Sequence, residues 1–205
     1  MAIVLTPNNV GAGLELFGNK LRVKAGSNIV VDSTGVSASA GAEGGDQKRI
    51  FLPNDWSTAS TTGAAIAAGS TTLQLEGTAK QQEPWELDCN IVWSTTLATA
   101  VLRLSVVVAL NEIAYGIYSY RCPSSASAVV EQQREVTSSV ATSLTSNTGS
   151  GLTVNKKYLS RVRGIVQPSF VNARVSLLFY AAASAASTIS IYAGSSFQIR
   201  SMKNV

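Results

Sequence analysis

Between Glu86 and Trp93 the chain reads ELDCNIVW, and its polar and apolar residues alternate from Glu86 to Ile91. Leu87, Cys89, Ile91 and Trp93 share one parity, and Glu86, Asp88 and Asn90 the other. Successive side chains of a strand point to opposite faces, so a strict period of two commits this segment to a half-buried strand. The pattern recurs. From Val101 to Leu110 both parities are largely apolar, as expected of a central strand covered on two faces. Tyr158–Val166 and Ala173–Tyr180 flank the loop QPSFVN and read as a hairpin. Thr188–Tyr192 and Ser196–Met202 read as a second hairpin around Ala193-Gly194-Ser195. With Thr71–Glu76, Tyr115–Tyr120 and Val129–Thr137 the count reaches about eight or nine strands, the number of a β-sandwich or jelly roll. Charged residues make up only 14 % and apolar residues 45 % of the chain, enough for a real core and little for exposed helices laced with ion pairs. The fold expected is all-β. The Ser-, Thr- and Gly-rich stretch 138–155 reads as an exposed loop, and AAASAA at 181–186 as another.

The first 49 residues differ from the rest. Residues 1–13 carry no periodic apolar face and read as an attachment arm. Residues 14–40 break into the short alternating pieces LELF, KLRVK, NIVVD and VSAS, separated by turn residues. Each piece holds two or three apolar residues, too few to bury alone, so this segment needs copies of itself or the larger domain. GAEGGDQKR at 41–49 closes the segment as a linker, and the β-sandwich domain is expected over 50–205. Charge divides unevenly as well. Residues 1–135 hold 9 basic and 12 acidic side chains, whereas residues 136–205 hold 7 basic and no acidic ones. Such asymmetry suits an anionic partner, or one surface meeting another across a subunit contact.

Catalytic chemistry finds little to work with. There is no histidine, which removes Ser-His-Asp triads, Cys-His pairs and nearly every zinc site. Phosphate-binding glycine loops are also absent. No catalytic residue, cofactor or metal is expected, and the chain does not read as an enzyme. Glu86 and Asp88 point the same way about 7 Å apart, a separation that glycoside hydrolysis tolerates. Two solvated carboxylates on an open face are the preferred account of them, and Glu131 and Glu135 are read in the same way. Cys89 and Cys122 read as buried thiols rather than a disulfide, because the opening MAIVLTPNN has no basic region and directs no export. The most apolar runs, Leu97–Leu110 and Val175–Ala186, are shorter than the roughly 20 residues that span a bilayer, so membrane insertion is not expected.

Two surface candidates remain. If the hairpin around QPSFVN sets Gly164 opposite Val175, then Arg161, Arg163 and Arg174 form one positive stripe facing either an anionic partner or the acidic Glu86 and Asp88 of a neighbouring copy. Without stacking aromatics beside it, this stripe does not read as a nucleic-acid surface. Tyr115, Tyr118 and Tyr120 are candidate platforms for adhesion to a host glycan or surface protein, with burial, one hydroxyl satisfied at the rim, the preferred account.

The segment KAGSNIVVDSTGVSAS, Lys24–Ser39, resembles a segment common in fibre proteins of tailed bacteriophages, where a Gly turn, an Ile-Val-Val-Asp strand and a turn ending in Gly-Val recur along a trimeric shaft. Gly26, Ile29, Val30, Val31, Asp32, Gly35 and Val36 occupy those places. The stretch RGIVQPSFVNARVSLLFYAAASAASTISIYAGSSFQIRSM is similar to the closing strands of phage fibre tips and minor virion proteins, and WELDCNIVW suits their opening strand. The resemblance covers about a third of the chain and implies a homotrimer in the virion, tied to other virion proteins through residues 1–13. A single shaft-like segment implies a short fibre, a fibre tip, or a head or collar decoration. A receptor-binding adhesion module is the alternative, and a polysaccharide depolymerase, resting on Glu86 and Asp88 alone, is a third reading.

Overall fold

The structure, a computed structural model, describes residues 14–17, 20–23, 29–32, 35–38, 47–78, 83–109, 112–169 and 174–202. The expected arm at 1–13 lies outside these residues. The chain divides into two units, 1–45 and 46–205.

In the first unit β1 (Leu14–Phe17) pairs antiparallel with β2 (Lys20–Val23), and β3 (Ile29–Asp32) with β4 (Gly35–Ala38). Each pair is a separate two-stranded sheet. The register Leu16↔Leu21 and Val31↔Val36 follows from the two-residue connections, which leave the strands no other in-phase pairing.

The second unit contains β5 (Gln47–Phe51), β6 (Trp56–Thr58), β7 (Ala64–Ala65), β8 (Ala67–Ala68), β9 (Thr71–Thr72), β10 (Gln74–Thr78), β11 (Trp85–Thr95), β12 (Leu102–Val108), β13 (Ile113–Pro123), β14 (Val129–Glu135), the single helical turn α1 (Val140–Ser143), β15 (Tyr158–Pro168), β16 (Arg174–Ala183), β17 (Ile189–Ile191) and β18 (Ser196–Ser201). One sheet runs β14-β13-β15-β11, and the far edge of β11 is then shared by β17 and β18, which pair with β6 and β5. The smaller sheet has β16 at its centre, flanked by β12 on one side and by β10 and β7 on the other. The inward rows of both sheets meet in one buried cluster, with Leu87, Cys89, Ile91 and Trp93 from the first sheet and Leu104, Val106, Leu177 and Phe179 from the second. This is an all-β sandwich, as the alternation dictates, and the four apolar positions read on β11 are all fully buried.

Strand partners depart from expectation in three places. β15 and β16 do not form a hairpin: β15 lies between β13 and β11, whereas β16 lies in the other sheet. The second expected hairpin is also absent. β17 and β18 continue in one direction along β11, pairing Thr95↔Ile189 at one end and Trp85↔Ser201 at the other. Between them the chain bulges out at Ala193-Gly194, with Gly194 at φ +85°, and the Ser195 Oγ accepts the Val92 N–H at 3.0 Å where the ladder is interrupted. The turn residues do form a turn, but it marks an excursion rather than a reversal. Finally, β12 is an end strand of its sheet and not a central one.

The free edge of β12 is covered by the stretch expected to be an exposed loop. Thr145 donates its N–H to Leu104 O at 3.0 Å and accepts from the Leu104 N–H through Oγ1 at 3.1 Å, and Thr137 O accepts the Val108 N–H at 3.0 Å. Ser143, Leu144, Thr145, Asn147 and Leu152 are buried. An uncovered edge strand leaves backbone groups unpaired, and here the backbone of Thr137 and Thr145, together with the Thr145 hydroxyl, satisfies those of Val108 and Leu104. AAASAA begins as strand, with Ala181, Ala182 and Ala183 buried in β16 beside β12.

A small polar network crosses the core. The Trp93 Nε1–H donates to Ser160 Oγ at 2.8 Å, and Leu102 O accepts from Tyr120 Oη at 2.8 Å and Asn147 Nδ2 at 3.1 Å. Ser160→Ala leaves the buried indole N–H without its partner, and a loss of about 1–3 kcal/mol is expected in chemical denaturation. Ser160→Thr, which keeps the hydroxyl, should retain more of the stability than alanine does.

Candidate functional site

The face of the large sheet turned away from the core carries most of the chemistry, and its side chains fall into rows running across the strands. One row is Glu131, Arg121, Arg161, Asn90 and Ser196, on β14, β13, β15, β11 and β18. The next is Gln133, Ser119, Arg163, Asp88, Gln198 and Arg49, reaching β5. A third is Glu135, Ile117, Ile165, Glu86, Arg200 and Gln47.

Asp88 accepts from Arg161 at 3.3 Å, and Glu86 is paired with Arg200. Both carboxylates are thus tied to guanidinium groups on an open face. Half-exposed pairs of this kind are worth about 0–1 kcal/mol each. Ser119 donates to Glu131, and Arg49 to the amide oxygen of Gln198. A depression of about 130 Å³ opens between the first two rows, lined by Ser119, Arg121, Glu131, Arg161 and Arg163.

Arg174 does not belong to this face. Its strand is in the other sheet, where its guanidinium meets Glu76 at 3.2 Å and the buried Glu112 at 3.8 Å. The three-arginine stripe depended on a hairpin that the chain does not form, so only Arg161 and Arg163 stay together. Arg121 takes the third place, directly opposite Arg161 across the β13–β15 ladder. The signal for it was present in YSYRCP: once Tyr120 and Cys122 are assigned inward, Arg121 must point out.

The tyrosines separate by parity in the same way. Tyr115 is 55 % exposed, whereas Tyr118 and Tyr120 are fully buried. Tyr118 donates to Ser143 O at 3.2 Å, and burial pushes its hydroxyl up to about 12 and that of Tyr120 well above the ordinary tyrosine range. Neither is a surface platform.

Cys89 and Cys122 are free and buried. They lie on β11 and β13 with β15 between them, and Cys89 is level with Tyr120, two residues from Cys122, so two strand spacings and this offset put them roughly 12 Å apart, which a disulfide does not bridge. Burial pushes the Cys89 thiol up to about 12 and the Cys122 thiol up to about 11, so both stay protonated at pH 8. A thiol reagent should leave the native chain unlabelled at that pH and modify both cysteines in denaturant; rapid native labelling would contradict this burial.

Among the described residues no helix is long and apolar enough to cross a membrane. No protein-family model matches the chain, and no curated protein is similar to it in sequence. Among solved structures, the chain is similar to that of the T=1 particle derived from infectious bursal virus, at 11 % identity and a TM-score of 0.25 over 90 % of this chain and 49 % of that one. It is also similar to that of the VP2 subviral particle of infectious bursal disease virus, at 12 % identity and a TM-score of 0.24 over 86 % and 46 %. The chain therefore spans about half the length of these proteins, and a likeness of this degree assigns neither family nor activity.

Proposed function

We propose that this chain is a non-catalytic structural protein of a virion, a short fibre, fibre tip or head or collar decoration, held as a homotrimer through its N-terminal unit. The observation that carries the reading is the make-up of that unit. Its described strands form two separate hairpins of four-residue strands, and a two-stranded hairpin is marginal at best in water. Pairing with copies of itself supplies what such hairpins lack, and the hairpin β3–β4 lies within the segment that resembles a phage fibre shaft. The second unit, by contrast, holds a core of its own. A non-catalytic role is supported by Glu86 and Asp88, each engaged by an arginine on an open sheet face instead of converging on a cleft.

Particles purified from cells that express the gene test the reading directly. Antibody against residues 46–205 should decorate the particle surface, and deletion of residues 1–13 should remove the label while leaving the thermal transition of the purified chain in place. Unlabelled particles from the intact gene would contradict it.

A further inference from the structure

We propose that Arg121, Arg161 and Arg163 form a binding site for a sparsely charged acidic saccharide, taking one carboxylate or sulfate group between their guanidinium groups. The proposal stands whether or not the chain is built into a virion. It begins from an unfavourable juxtaposition. Arg121 and Arg161 are directly opposite across the β13–β15 ladder, and Arg163 follows Arg161 on the same face two residues along. Like charges directly opposite on neighbouring strands destabilise a sheet. Two acids sit close by, but both are committed: Asp88 to Arg161 at 3.3 Å, and Glu131 to the Ser119 hydroxyl. Among the described residues neither Arg121 nor Arg163 has an ion-pair partner. Arg121, Arg161 and Arg163, with Glu131 and Ser119, line a depression of about 130 Å³, room for one anionic group, and guanidinium forks present paired donors that match two oxygens of a carboxylate or sulfate.

The rows around the depression favour a sugar chain as the carrier of that group. Gln133, Ser119, Arg163, Asp88 and Gln198 cross five strands in succession, at the inter-strand spacing of about 4.8 Å, and each offers a hydroxyl, amide or charged group to a ligand lying across the sheet. Protein partners fit this face poorly. Their interfaces have an apolar centre and a polar rim, whereas here the centre is charged and the exposed apolar residues lie at its margins, Ile117 and Ile165 on one side, Leu159 on the other, and Phe51 and Val129 on the edge strands β5 and β14. A nucleic acid fits poorly as well, because Asp88, Glu131 and Glu86 repel closely spaced phosphates and the exposed aromatics of this face, Tyr115 on β13 and Phe51 on β5, stand apart at its margins and form no stacking platform. The larger hollow around Arg134, about 510 Å³, is a weaker candidate because that guanidinium already donates to Ser146 Oγ at 2.7 Å.

The test uses the full chain and four probes: an oligosaccharide with one glucuronate per two sugars, its sulfated analogue, its carboxyl-reduced neutral form, and oligothymidylate. Nε–H resonances of arginine are followed by NMR, with calorimetry in parallel. Saturable shifts at Arg121, Arg161 and Arg163 are expected with one or both acidic sugars, while Arg174 stays unmoved, and the responding sugar identifies the anionic group. Arg121→Gln and Arg163→Gln lie on the exposed sheet face, so each should keep the native thermal transition and weaken binding about tenfold. Arg163→Lys should fall between, having the charge without the fork. Absence of saturable binding by either acidic sugar overturns the proposal, as does equal binding of the neutral form, unchanged affinity in both glutamine variants, or tighter binding of oligothymidylate.

Discussion

Replacing Gly164 by valine should destabilise the second unit by about 3 kcal/mol or more. Gly164 sits in β15, between Leu87 of β11 and Tyr118 of β13. A Cβ there meets Ile117 O at 2.4 Å, Tyr118 Cβ at 2.7 Å and Tyr118 Cα at 2.8 Å. Two of these three atoms are backbone of the neighbouring strand, so no side-chain rotation relieves the contact. The ladder must open instead, at the pairing that positions Arg121 against Arg161. Gly69 and Gly151 serve as controls: both have positive φ but open space around them, and alanine there carries conformational strain alone, about 1 kcal/mol. Urea denaturation of the three variants separates the two effects. A Gly164→Val midpoint no lower than those of the controls would show that β13 and β15 do not approach as described.

A comparable loss is expected where the two sheets lock together. Phe179 of β16 and Phe197 of β18 meet edge to face, with ring centroids 5.0 Å apart at 64°, and both are fully buried. Truncating either to alanine should lose about 3–5 kcal/mol. Because each variant already removes the shared contact, the double variant should lose less than the two singles together, with a coupling of about 0.5–1.5 kcal/mol. Strict additivity in that cycle would place the two rings in separate environments and undo the packing of the two sheets around one core.

Which face each residue takes was legible; which strand it lies beside was less so. Period-two alternation is a local property, and it put Leu87, Cys89, Ile91 and Trp93 in the core and Glu86 and Asp88 outside without reference to the rest of the chain. The same rule applied to YSYRCP separates Tyr118 and Tyr120 from Arg121. Pairing is a global property. QPSFVN has the length and residues of a hairpin loop yet joins two different sheets, and Ala193-Gly194-Ser195 has the composition of a reversal yet lets one strand resume its course along β11. A turn signal records that the chain leaves its line, not where it goes next. Arg174 was misplaced for that reason alone, and the Arg121–Arg161 contact could not be found before β13 and β15 were known to be neighbours. Residues 138–155 escaped differently. Their serines and threonines suit solvent, but they suit an unpaired strand edge equally, and composition does not distinguish the two.

The assembly of the chain through its N-terminal unit is tested most directly by sedimentation of the intact chain and of residues 46–205 at micromolar concentration. The second unit has its own core and should remain folded when separated. If the hairpins β1–β2 and β3–β4 are completed by copies of themselves, the intact chain sediments with the mass of three chains and the shortened one with the mass of one. A single-chain mass for the intact protein, or a trimer that survives removal of residues 1–45, would contradict the account.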